Sequence, residues 1–218
     1  MYYLNSFKPL CYFKQGREAI KKFDLPPFID ASCRREPDFQ NPLPSISALC
    51  RGAGFAPRLR EGDKVIYMTV KGNYLSETTR HWRLVAVLEV IKRFESHKEA
   101  AQSYLESNLP LPNNCMVTGN VHSPYAMSGG MSADRFGGAA DDEELVRKWD
   151  VSYKVRSRKY RAFLACKADY LELYNPPILT DGFMLETFGR IPPTLTPPPI
   201  SEEQFEALIL ISSTSGIL

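Results

Sequence analysis

The sequence predicts an α+β fold in which a mixed or antiparallel sheet is wrapped by three or four short helices. Three observations predict it. KVIYMTV (64–70) and WRLVAVLEVIKRF (82–94) are β-branched, aromatic-rich runs on either side of a polar loop, as two paired strands require. SHKEAAQSYLES (96–107) opens with a capping-box pattern, Ser96 with Glu99, ahead of good helix formers. No internal repeat or heptad is visible, which excludes solenoids and coiled coils.

The remaining elements follow in chain order. Residues around Tyr3, Phe7 and Tyr12 alternate in the manner of an opening strand, and REAIKKF from Arg17 predicts a short helix before PPFIDASC returns to an extended path. RREPDFQNPLP (34–44), with three prolines and several charges, is expected to cross the surface as a loop. Ser45 is expected to cap a short helix, SISALCR, stopped at Gly52. Glu61-Gly62-Asp63 is a turn signal ahead of the first long strand. NLPLPNN ends the central helix, and the glycine- and serine-rich stretch at about 119–145 has no period that would bury a face, so it is expected to be a flexible insertion. Order is expected to return near Trp149, with YRAFLACKADYLELY supplying one or two more strands. Thr180 or Asp181 caps the short helix FMLETF, and RIPPTLTPPPI is a stiff proline-rich linker. Ser201 and Gln204 form a second capping box before FEALILI, so linker and last helix occupy about 191–212 of one domain spanning residues 1–218.

Composition narrows the function classes. A content of 44% hydrophobic residues supplies a core for one domain, and a formal charge of +2 is too mild for bulk phosphate binding, so any nucleic-acid contact must come from local clustering. Cys11, Cys33, Cys50, Cys115 and Cys166 lie far apart without paired spacing and read as reduced thiols of a cytoplasmic protein. No secretory leader or run of about 18 apolar residues is present, so no membrane partner is expected.

Three constellations carry candidate chemistry. In CRGAGFAPRLR, Arg51, Phe55 and Arg58 stand among glycines and a proline beside Lys64; an exposed ring there would stack on a base while the cations hold phosphate. The alternative is a core plug rimmed by solvated arginines. Tyr67 and Trp82 lie on adjacent strands and would form two walls of an aromatic pocket if their faces match; otherwise each is core. Asn114, in PLPNNCMVTGN, offers an amide edge to a base or else forms a turn. Catalytic signals are absent: there is no nucleophile elbow, HExxH, P-loop or dinucleotide fingerprint, so no catalytic residue, metal or cofactor is assigned. The competing enzymatic reading is a metal-dependent nuclease or nucleotide-modifying enzyme using Asp30, Glu36 and Asp38. The proline-rich linker and apolar final helix give a third reading, an assembly protein, with a homodimer as one form.

REGDKVIYMTV, a variable loop and RLVAVLEVIKRFES together resemble the core of the PUA-like superfamily, especially its EVE, ASCH and nucleotide-modification-associated domains. The shared elements are the Gly62-Asp63 turn, the strand Val65 to Thr69 and the return strand Val85 to Val90. SCRREPDF, LCRGAGFAP and NCMV are also similar to bacterial proteins grouped with nucleotide-modification systems. The resemblance implies a small mixed β-barrel flanked by short helices, with a pocket for a modified or flipped base near Ser45, Ser47, Phe55, Tyr67 and Trp82. The expectation is a non-catalytic module whose partner is a nucleic acid or nucleotide, bound by Ser45, Ser47, Arg51, Phe55, Arg58, Lys64, Tyr67, Trp82 and Asn114.

Overall fold

A computed structural model describes residues 1–194 and 196–214. In chain order the strands are β1 (Tyr2–Phe7), β2 (Ser45–Ser47), β3 (Lys64–Thr69), β4 (Trp82–Phe94), β5 (Phe163–Leu171), β6 (Ile178–Leu179) and β7 (Pro199–Ile200). The helices are α1 (Lys14–Phe23), α2 (His97–Glu106), α3 (Tyr125–Ser128), α4 (Asp142–Lys159), α5 (Asp181–Phe188) and α6 (Glu202–Thr214). The sheet runs β2-β5-β4-β3-β1-β7, and β6 pairs with the start of β4. Among the described residues, only β1 and β3 pair in parallel. The α+β architecture is as the sequence predicts. A closed barrel is not: β2 and β7 end the strand order as two separate edges, so the sheet is open.

The helix boundaries follow the local capping chemistry. Ser96 accepts from the Glu99 N–H, and Thr180 from that of Phe183. Ser201 and Gln204 exchange both bonds of a capping box, at 3.2 and 3.0 Å. The expected helix at Ser45 is instead strand β2, because Ser45 pairs with Ala165 on one side and bridges to Asp38 on the other. Pairing on both sides overrides a good N-cap residue.

Each sheet face carries its own core. On one, Phe7, Tyr67, Leu88 and Leu164 pack with Phe39 and Phe55 from the loops above. On the other, Leu4, Ile66, Leu84 and Val87 pack with Met184 of α5 and Leu208 of α6. The apolar side of the last helix, on which the third reading of an assembly protein rests, is therefore used within the chain. No helix among the described residues is long and apolar enough to cross a membrane.

Two segments depart from expectation in ways that shape the site. The first part of the 34–44 segment does not run over the surface: Arg34, Arg35, Glu36, Asp38 and Phe39 are all buried, and only Gln40 and Pro42 of the segment are exposed. Their charges are matched internally. Arg34 donates through Nε to Asp150 Oδ1 at 2.7 Å and through Nη1 to the Asn113 and Asn120 carbonyls, each at 3.1 Å. Arg35 donates to the Asp30 carbonyl at 2.7 Å and to that of Met127. The segment at about 119–145, expected as a flexible insertion, contains α3 and the start of α4 and packs on α1. Gly129 permits the approach: its φ is +69°, and a Cβ there would lie 2.5 Å from Gly16 N.

Candidate ligand pocket

Over the first sheet face, between β1, β2, the buried 30–37 segment and α4, lies a cavity of about 470 Å³. That is within the range of small-molecule sites. Its chemistry falls into three groups. Phe7, Phe55 and Tyr67 supply rings from the sheet side, while Trp149 and Tyr153 line it from α4. Asp30, Glu36 and Ser47 supply buried polar groups. Lys8, Arg51, Arg135 and Arg156 supply cations.

The cations are placed by backbone and ring contacts. Arg51 donates to the Ser6 carbonyl, and Arg156 to the Leu49 carbonyl at 2.6 Å. The Arg135 guanidinium sits 5.1 Å from the centre of the Trp149 ring, and the indole N–H is held by the Ser132 carbonyl at 3.1 Å. Lys8 and Arg135 are exposed. None of these four cations makes an ion pair among the described residues. They are available to an anionic group.

The carboxyls differ in how their oxygens are used. Glu36 Oε1 accepts from Ser47 N at 2.8 Å; Oε2 takes the Ser47 hydroxyl and Asn114 Nδ2, the latter at 3.0 Å. Burial pushes this carboxyl up to about 8 against those bonds, so it is mostly neutral at pH 7. Asp30 concentrates its bonds on one oxygen: Oδ1 accepts from Ser32 N at 2.9 Å, the Ser32 hydroxyl, and Glu36 N at 3.0 Å. Burial raises this carboxyl also, while the three donors and the nearby Arg35 oppose the rise.

The sequence-predicted residues divide. Ser47, Arg51, Phe55 and Tyr67 line the cavity. Phe55 and Tyr67 are each 2% exposed, so they are core residues whose surfaces close the cavity and do not project from a loop. Ser45 and Asn114 lie one layer behind: Ser45 donates to Asn114 Oδ1 at 2.7 Å, and Asn114 in turn positions Glu36. Three residues are elsewhere. Arg58 is exposed and donates to the Gly54 carbonyl. Lys64 is paired with Asp169 at 2.6 Å and Glu89 at 3.6 Å. Trp82 belongs to the core on the opposite sheet face, so it cannot be a second wall to Tyr67.

A bulge causes that reversal. Tyr67 pairs with Ala86 but Met68 with Leu84, so one extra β4 residue enters between them. A regular ladder would carry Ala86, Leu84 and Trp82 on Tyr67's face; the insertion flips the last two. The acidic set Asp30, Glu36 and Asp38 is likewise divided. Asp38 accepts from Asn113 N at 2.7 Å and lines a different, shallower hollow. No group of three His, Cys, Asp or Glu residues among the described residues is arranged to hold a metal ion. Sequence reasoning missed Lys8, Trp149, Tyr153, Arg135 and Arg156. Four of these lie in the insertion or on α4, where only the Asp141 cap with Glu144 three residues on signals a helix start.

Fold and site together define an α+β protein with a single-walled sheet and a ring-lined, polar-floored cavity edged by cations. No family model, curated protein or solved structure matches this chain.

Proposed function

We propose that this protein binds a nucleic-acid base or nucleotide, a modified base included, in the 470 Å³ cavity without transforming it. The observation that carries this is the coincidence, in one cavity, of aromatic rings, buried hydrogen-bonding groups and four cations without carboxylate partners. A planar base uses the first two and a phosphate the third. Trp149 is the ring for stacking, since it is half-buried with one indole edge already fixed. Lys8 and Arg135 are the exposed phosphate contacts, with Arg51 and Arg156 deeper. We read the open sheet as a splayed form of the PUA-like core, which accords with the Gly62-Asp63 turn and the β3–β4 pair.

Titration of short single strands, with and without modified bases, at several salt concentrations tests the reading. Trp149 fluorescence reports binding in a Trp82→Phe background. Binding should weaken with salt, and Arg135→Ala with Lys8→Ala should lower the salt slope by about one to two. Trp149→Ala should cost about 1–3 kcal/mol of affinity, read by anisotropy of a labelled strand. Absence of salt-sensitive binding, or indifference to both changes, overturns the proposal.

A further inference from the structure

Asp30 is 7% exposed, lines the cavity, and has an oxygen, Oδ2, that takes part in no hydrogen bond or ion pair among the described residues. Its other oxygen is saturated by three donors from Ser32 and Glu36, which fix the carboxyl plane. A ligand that covers Oδ2 without supplying a donor strips that oxygen of water and leaves it unpaired, whereas a ligand that brings a donor does not. The neighbouring carboxyl of Glu36 does not compete for the same ligand group, because Ser47 and Asn114 occupy its oxygens. The cavity therefore presents one oriented acceptor at its polar end.

We propose that Asp30 sets the specificity of the site: Oδ2 accepts from an exocyclic amino group, so the cavity takes bases of the amino class, cytosine and adenine types, over oxo counterparts such as thymine or hypoxanthine. This rests on the base-binding function proposed above. An amino group sits at the outer edge of its ring and offers two N–H groups to a carboxylate. Thymine offers its one imino N–H between two carbonyl oxygens, whose lone pairs face an approaching carboxylate. A site built around a buried hydrogen-bonding group rejects the analogue lacking the partner more strongly than an apolar site rejects a change of size.

The test uses the full chain and two matched pairs of short single strands: 5-methylcytosine against thymine, and adenine against hypoxanthine. Each pair exchanges an amino group, with its ring acceptor, for an oxo group with an imino N–H, and leaves the remaining substituents unchanged. The amino member should bind roughly tenfold or more tightly in each pair. Asp30→Asn is the matched variant, since an amide oxygen can keep the three donors on Oδ1 while the cavity atom becomes a donor. It should abolish or invert the preference. Equal binding of both members by the wild-type chain overturns the specificity while leaving base binding standing; so does an unchanged preference in a folded Asp30→Asn. Binding of neither member by the wild type removes the base-binding function itself. The wild-type ratios decide the matter if the variant does not fold.

Discussion

Replacing Glu36 by glutamine should flatten the dependence of stability on pH in one particular window. Glu36 is held up to about 8, from an ordinary 4.5, by burial. Its folded form binds more protons than its unfolded form between those values, so the stability it permits is intact below 4.5 and is lost as pH rises through 8. His97 acts oppositely. It is buried against Phe163, accepts from Met116 N at 3.1 Å, and is lowered to about 4 from 6.5, so its neutral form is undisturbed above 6.5 and stability is lost as pH falls toward 4. His97 and Glu36 offset each other at acid pH, and between 6.5 and 8 the Glu36 loss stands out, with the buried carboxyls of Asp30 and Asp38, also raised, acting in the same direction.

At about 1.4 kcal/mol per pH unit, with the slope easing as pH reaches the raised value, the wild-type protein should lose about 1.5–2 kcal/mol between pH 6.5 and 8. Urea unfolding followed by tryptophan fluorescence measures this directly. Glu36→Gln cannot ionise, and its stability should change by less than about 0.5 kcal/mol over the same window. Its absolute stability at pH 6.5 should be lower, since an amide nitrogen at the Oε2 position faces the Asn114 donor at 3.0 Å. A wild-type stability that is flat or rises from 6.5 to 8, or a variant that keeps the wild-type slope, would refute the assignment of a buried, mostly neutral Glu36.

Two further changes separate scaffold from site. Arg34→Ala leaves Asp150, 5% exposed, with only its exposed partner Lys154 at 2.8 Å and leaves the Asn113 and Asn120 carbonyls without their donor, and should cost about 2–4 kcal/mol in urea unfolding; a cost under about 1 kcal/mol would show that the network is not stabilising. Trp82→Ala should cost about 3–5 kcal/mol by cavity formation on the far sheet face yet leave strand affinity unchanged where the protein is folded, and a loss of affinity there would return Trp82 to the site.

Much of the sheet was legible because its long strands obey local rules. β3 and β4 are β-branched runs bounded by a turn, and the three serine and threonine caps sit where their side chains satisfy the first turn of a helix. The strand faces were not legible. The bulge after Tyr67 adds one residue with no sequence signal in VAVLEV, and one residue decides which core Trp82 joins. Helix α4 was missed because its apolar stripe is short: Leu145, Val146, Trp149 and Tyr153 stand among charges that suit a loop equally well. His81 is buried beside Arg83, whose Nε donates to its Nε2 at 2.9 Å and whose Nη1 reaches Asn175 Oδ1 and the Pro176 carbonyl.

The misreading of residues 34–44 bears most directly on function. Local composition marks a solvated loop, and the structure instead buries two arginines and two carboxyls there, held by donors and acceptors from residues 47, 113, 114, 120, 127 and 150. Such a network is a poor way to gain stability, since well-packed apolar side chains of similar volume often do as well or better. Its geometric consequence is more specific. Glu36 N fixes Asp30, Ser47 and Asn114 fix Glu36, and Arg34 and Asp150 tie the same segment to the helix that carries Trp149 and Tyr153. The ionic core thus couples the polar floor of the cavity to its aromatic wall. A site that must hold one acceptor in register with a stacking ring needs that rigidity, because the penalty for an unmatched buried group falls steeply on any ligand displaced from it.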